Sequence, residues 1–431
     1  MEDKEIGRRA FLGTAGAAAT FMIIKPQLVR GTQANSEVRV GLLGCGGRGT
    51  TDATGIVTSG PARMVALADL FEDRLAAAKN HFDDVANKQG HAGVRDTYMF
   101  HGPHAAEALF AAPGVDAVVI GTPPYFHPQH LAMAVEARKH VYCEKPVAID
   151  VPGAKRVIEI GKQAEGRVSL DVGFQIRKAP PFVELVRRIH AGDLGDISCG
   201  AAHYYCPFLS LPDWPKASPT ERRLRNWLHD RVLSGDIIVE QNIHVIDICN
   251  WVLQGHPVKA IGTGGRKGRT DEGDAWSHFD VLFQYPNDVH VSFSSTQFGK
   301  AKFDASERFF GPRGGSQSPY SGPIGITGEQ AWTWGGDKPP DKPADKTAGG
   351  DFSLTGNFTD NLAQADSSKH ADFLNSILNH DLHNQAAQGV ESALSAMLGR
   401  TAAYTGKEIT WEELLRSEEV WDPKIDLDKL G

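Results

Sequence analysis

The stretch Val38-Arg39-Val40-Gly41-Leu42-Leu43 runs straight into Gly44-Cys45-Gly46-Gly47-Arg48-Gly49. A short apolar strand that ends in G-x-G-x-x-G constrains the fold more than any other feature of the chain. The first glycine allows a tight turn, and the second lets backbone approach a pyrophosphate. The third lets the next helix pack closely on the strand. That helix then offers unpaired N–H groups to an anion. The pattern calls for a strand–turn–helix unit in a buried parallel sheet.

The following residues extend this pattern. Met64-Val65-Ala66-Leu67-Ala68 reads as a second buried strand and ends at Asp69, 20 residues after Gly49. A carboxylate at that spacing suits the ribose hydroxyls of a dinucleotide. It would repel a 2′-phosphate, which favours NAD over NADP, although Arg74 nearby pulls the other way. Asp69 could instead be a helix N-cap ahead of Glu72, Asp73 and Arg74. Two more strands are expected, Asp116–Ile120 and His140–Cys143. They run into the loops Gly121-Thr122-Pro123-Pro124-Tyr125-Phe126-His127-Pro128 and Glu144-Lys145-Pro146. In open α/β sheets ligands bind at such carboxyl ends.

Farther on, Ser234–Asp247 places Glu240, His244 and Asp247 at spacings of four and three among apolar neighbours. On one helix the three share a face. A polar acid–His–acid stripe on a buried-looking helix needs a reason. It is either a hydrogen-bonded structural histidine or an acid–base site. From about Val258 to Thr296 the residues alternate as in antiparallel strands. Residues 300–365 are rich in Gly, Pro, Ser and Asp and read as a loop-dominated insertion with at most a hairpin. Helices are expected over His370–Asn379 and Val390–Tyr404.

Composition excludes several classes. The net charge is −8, and the first 34 residues are basic, so the body is more acidic still. Such a body does not suit a nucleic-acid surface. No apolar run is long enough to span a bilayer. The five cysteines (Cys45, Cys143, Cys199, Cys206 and Cys249) contain no C-x-x-C pair, so no metal site is expected. They read as buried free thiols; a Cys199–Cys206 disulfide is the lesser reading. At the start, Gly7-Arg8-Arg9-Ala10-Phe11-Leu12 precedes a mild apolar run and the small-residue site Thr32-Gln33-Ala34. This order resembles a twin-arginine export signal, with the periplasm as destination.

Taken together, the glycine loop, Asp69, Gly121-Thr122-Pro123 and above all Glu144-Lys145-Pro146 resemble the Gfo/Idh/MocA family, which includes glucose–fructose oxidoreductase and inositol dehydrogenase. The resemblance implies an α/β protein: an N-terminal Rossmann domain and a C-terminal α/β domain with a large, mostly antiparallel sheet. The expected layout is a leader at 1–35, a nucleotide-binding domain at 36–150 and a substrate and oligomerisation domain at 151–431. A homo-oligomer, dimer or tetramer, is implied. The implied activity is NAD-dependent oxidation of a sugar, glycoside or polyol carbinol. One alternative is an NAD-dependent glycosidase that oxidises its sugar transiently. Another is a sugar-binding protein without catalysis.

The resemblance also implies residue roles. Lys145 would face the reacting hydroxyl, and the Lys145–Pro146 bond would be cis. The family pattern D-x-G-x-H-x-x-D is matched at His244 and Asp247. It is changed at two positions, to Glu240 and Asn242. His244 is then the base, Glu240 its substrate-facing or orienting partner, and Asp247 supports them. The cofactor is assigned to Gly44, Gly46, Gly47, Arg48, Gly49, Asp69, Thr122, Pro123, His127, Glu144, Lys145 and Gln175. The substrate is assigned to Lys145, Glu240 and His244, with Arg177, Tyr204, Trp227 and Arg231 as weaker candidates that ordinary packing would explain equally well.

Overall fold

The computed structural model describes residues 37–335 and 360–430. The leader and the Pro-rich stretch Asp337–Pro343 lie outside the described residues. Six parallel strands form the first sheet: β1 (Val38–Leu43), β2 (Ala62–Asp69), β3 (Met99–His101), β4 (Ala117–Ile120), β5 (His140–Cys143) and β6 (Leu170–Val172). Their order is β3-β2-β1-β4-β5-β6, the doubly wound arrangement with its switch point between β1 and β4. The sheet therefore takes in chain past residue 150. The connecting helices are α1 (Gly47–Thr58), α2 (Glu72–Gln89), α3 (Ala105–Ala111), α4 (His127–Glu136) and α5 (Val151–Ala164). Strands β4 and β5 are almost wholly buried, which is why they read as continuous apolar runs.

The second sheet has nine strands: β7 (Cys199–Cys206), β8 (Lys259–Gly265), β9 (His278–Tyr285), β10 (Val289–Gln297), β11 (Asp304–Gly311), β12 (Gly314–Pro319), β13 (Gly325–Gly328), β14 (Trp332–Thr333) and β15 (Ile409–Thr410). The β7–β10 pair is parallel and the other pairs are antiparallel. The expected strands after Val258 are present. The loop-dominated reading of 300–365 is not correct for its first part. The chain from 304 to 333 extends the sheet through β11–β14, because backbone pairing carries these Gly- and Ser-rich strands where composition does not.

Flanking helices are α6 (Pro180–His190), α7 (Pro219–Arg225), α8 (Ile237–Glu240), α9 (Ile243–Leu253), α10 (Ala365–Leu378) and α11 (Ala386–Thr405). The last two begin four or five residues earlier than the sequence indicates. One face of the sheet buries Phe279, Val281, Phe283 and Phe293. The opposite face leaves Ile261 and Leu282 exposed at 47% and 42%. All five cysteines are free, and Cys199 is exposed rather than buried because it starts the strand β7. Among the described residues no helix is long and apolar enough to cross a membrane.

Candidate active site and nucleotide cavity

The glycine loop lies at the carboxyl end of β1. Gly44 has φ +89°, a left-handed conformation that a β-carbon opposes. At Gly49 a β-carbon would sit 2.3 Å from the Gly44 carbonyl oxygen. Gly49→Ala is therefore expected to cost about 1–3 kcal/mol or more and to abolish nucleotide binding. Thermal unfolding and a cofactor titration check this, and an unchanged melting point with intact binding would contradict it. Helix α1 starts at this loop with no side-chain cap and no acid in its first turn, so its N–H groups are free for an anion.

Around the loop lies a cavity of about 400 Å³ lined by Gly44, Gly46, Gly47, Arg48, Asp69, Thr122 and Pro123. Asp69 is buried, and its carboxylate accepts N–H bonds from Cys45 at 2.6 Å and Phe71 at 2.8 Å. Burial raises its pKa, while those two bonds oppose the rise. A carboxylate, bare helix N–H groups and close-packed glycines in one cavity fit a dinucleotide.

Glu144, His127 and Gln175 do not line this cavity. Glu144 is buried away from the cavity wall and accepts from Arg48 Nε at 3.1 Å. Arg48 lines the cavity, but its guanidinium also pairs with Asp52 and Asp366 at 2.9 and 2.8 Å. His127 is wholly buried, with its ring nitrogens 2.7 Å from the carbonyls of Pro146 and Thr122. It braces the two strand-end loops and does not reach the cavity. Beside it, Thr122 Oγ1 lies 3.0 Å from Nδ1 of His130, whose pKa burial pushes down to about 3. Gln175 is buried, with Oε1 lacking a partner.

The Lys145–Pro146 bond is cis. Lys145 Nζ donates to the Glu240 side chain (Oε1, 2.8 Å) and to the Glu240 backbone carbonyl (2.7 Å). Both side chains are 11% exposed. His244 is buried and meets Phe174 edge-on at 6.3 Å between ring centroids. Its Nδ1 has no hydrogen-bond partner. Burial first, then the charges of Lys145 and Arg48, hold its pKa well below the usual histidine value.

Glu240 and His244 do not share one continuous helix, contrary to the spacing argument. Glu240 ends α8 and His244 lies in the first turn of α9, with Gln241 and Asn242 between. The Glu240 carbonyl goes to Lys145, and Asn242 N–H reaches back five residues to Ile237. Wide turns of this kind interrupt helices at functional sites.

Asp247 does not pair with His244. Its carboxylate takes a two-pronged bond from Arg177 at 2.8 and 2.9 Å and another from Ser392 at 2.7 Å. Arg177 is thereby occupied, and it also lies over Trp251 at 5.4 Å. Tyr204 is a core residue, 1% exposed and packed on Phe303 and Tyr320. Arg231 pairs with Asp274 at 3.1 Å and lies over Tyr404. Of the weaker candidates, Trp227 alone lines the nucleotide cavity. The sequence reading missed the cavity's far wall, which includes Leu211, Leu224 and Arg225.

Two family models match the chain. "Oxidoreductase family, NAD-binding Rossmann fold" covers residues 38–172, and "GFO/IDH/MocA C-terminal domain" covers 182–316. The chain belongs to the Gfo/Idh/MocA oxidoreductase family. It is 27% identical over 292 residues to inositol 2-dehydrogenase of Rhizobium meliloti, covering 67% of this chain and 78% of that one. It is 29% identical over 232 residues to scyllo-inositol 2-dehydrogenase (NAD(+)) of Bacillus subtilis, covering 53% of this chain and 58% of that one. Among solved structures, aldose–aldose oxidoreductase from Caulobacter crescentus superposes with TM-score 0.64 at 17% identity, covering 87% of this chain and 99% of that one. Levoglucosan dehydrogenase, in complex with NADH and levoglucosan, superposes with TM-score 0.65 at 16% identity, covering 87% and 99%. These two share the fold of this chain.

Proposed function

We propose that the protein oxidises a carbinol of a sugar, glycoside or polyol, inositols included, with NAD as cofactor. The observation that carries this reading is Lys145 Nζ, held from two directions by Glu240, together with the buried His244, whose pKa is lowered by burial first and then by the charge of Lys145. NAD, when bound, supplies the hydride acceptor. Lys145 orients the substrate hydroxyl and favours its developing negative charge. Glu240 fixes Lys145. His244, kept neutral by its surroundings, accepts the hydroxyl proton at Nε2. The assay uses free polyols, free sugars and aryl glycosides, and follows aglycone and reduced cofactor together. Reduced cofactor from polyols or sugars is expected; aglycone release without net reduction would turn the reading to the glycosidase.

We further propose that the leader directs export by the twin-arginine route to the periplasm. Because that route carries folded proteins, NAD would leave with the chain and be recycled in place. Cell fractionation of a variant with Arg8→Lys and Arg9→Lys tests export; periplasmic recovery of that variant would refute it. The open face of the second sheet, which exposes Ile261 and Leu282 among polar side chains such as His203, Asp280 and Ser292, supports an oligomer through that face. A monomeric mass in solution would exclude it.

A further inference from the structure

The nucleotide cavity is closed by chain from both halves of the molecule. Leu211, Pro212 and Leu224, from the stretch leading into and through α7, stand opposite Leu70 and Phe71, which follow Asp69. In a doubly wound sheet an acid at the Asp69 position marks the ribose of the adenosine half.

Arg225 joins the two walls. Its guanidinium donates to both carboxylate oxygens of Asp73 at 3.0 and 2.9 Å, and its Nε donates to Glu221 at 2.7 Å. It lies 3.9 Å from the Phe71 ring centroid and 4.3 Å from that of Trp214. Its side chain is only 9% exposed. A two-pronged ion pair stacked on two rings is far more constrained than an ordinary surface pair. Asp73 sits in the first turn of α2, four residues past Asp69.

We propose that Arg225 latches the 211–228 segment across the adenosine half of the cavity. Nucleotide then leaves only when the Arg225–Asp73–Phe71 contacts open. The proposal rests on NAD as the occupant and assigns Arg225 and Asp73 to cofactor retention. It gives the recycling scheme a structural basis: slow release is built into the contact between the two halves.

The full-length protein is loaded with NADH and mixed with excess NAD, and nicotinamide fluorescence follows release. Arg225→Ala and Asp73→Asn are each expected to speed release at least tenfold. The double variant should release no faster than the faster single one, because both break one latch. Arg225→Lys should not restore slow release, since lysine lacks the planar fork. Asp73→Asn changes one half-exposed side chain and preserves the segment, so it serves if Arg225→Ala does not fold. Unchanged release in Asp73→Asn, or additive effects in the double variant, would overturn the latch. A wild-type protein that binds no NADH would overturn the cofactor reading instead.

Discussion

Lys145→Met lowers kcat/KM by roughly 10²–10³-fold, the usual loss when one preorganised donor to a developing oxyanion is removed. The effect should fall on kcat. Lys145 Nζ is bonded to Glu240 on two sides, so the ammonium is fixed before substrate arrives and costs little to organise. The variant leaves the glycine loop and Asp69 untouched, so NAD should still bind. Arginine should not substitute, because its longer planar group cannot occupy the same point between the Glu240 carboxylate and carbonyl. Steady-state kinetics with a parallel cofactor titration check the claim. Wild-type kcat in Lys145→Met would remove Lys145 from the chemistry.

His244→Ala is expected to cost roughly 10²–10⁴-fold, the usual range for a positioned general base. Burial and the charges of Lys145 and Arg48 disfavour the imidazolium and lower the His244 pKa. The neutral base therefore persists below the ordinary histidine range, and kcat/KM stays level as pH falls through about 6.5. Its acid limb should appear at lower pH. Lys145→Met removes one of the two charges, so in that variant the limb should move up toward 6.5. A pH–rate series on both proteins tests the sign. A downward move on removing Lys145 would contradict the arrangement.

The first sheet was legible in the sequence because buried parallel strands are continuous apolar runs, and because glycine is required where backbone meets backbone at Gly44 and Gly49. The closeness of Lys145, Glu240 and His244 was legible only through resemblance. The break between Glu240 and His244 was not, because it depends on a carbonyl taken by a lysine 95 positions away. Tyr204 was misread for a simpler reason. Alternate residues of β7 face opposite ways, so His203 and Tyr205 point to the open face while Tyr204 enters the core. Arg177 was misread because its partner Asp247 lies 70 positions on. Arg225 was not singled out at all, since nothing local links it to Asp73, 152 positions earlier.

The change from Asp to Glu at position 240 is accommodated. The longer side chain still reaches Lys145 Nζ at 2.8 Å. Both carboxylate and carbonyl of one residue thus hold the lysine, and they do so from the turn that displaces His244 from a shared helical face.

At this site hydride leaves a carbinol carbon for NAD, and a single turnover tests that directly. NAD-loaded protein is mixed rapidly with a panel of cyclic polyols and pyranoses, each with hydrogen or deuterium on the carbinol carbons, while cofactor absorbance is followed through one turnover. At least one member is expected to reduce the cofactor stoichiometrically, with deuterium slowing the step. Failure of every member to reduce bound NAD, or reduction insensitive to deuterium at every carbinol, would contradict it.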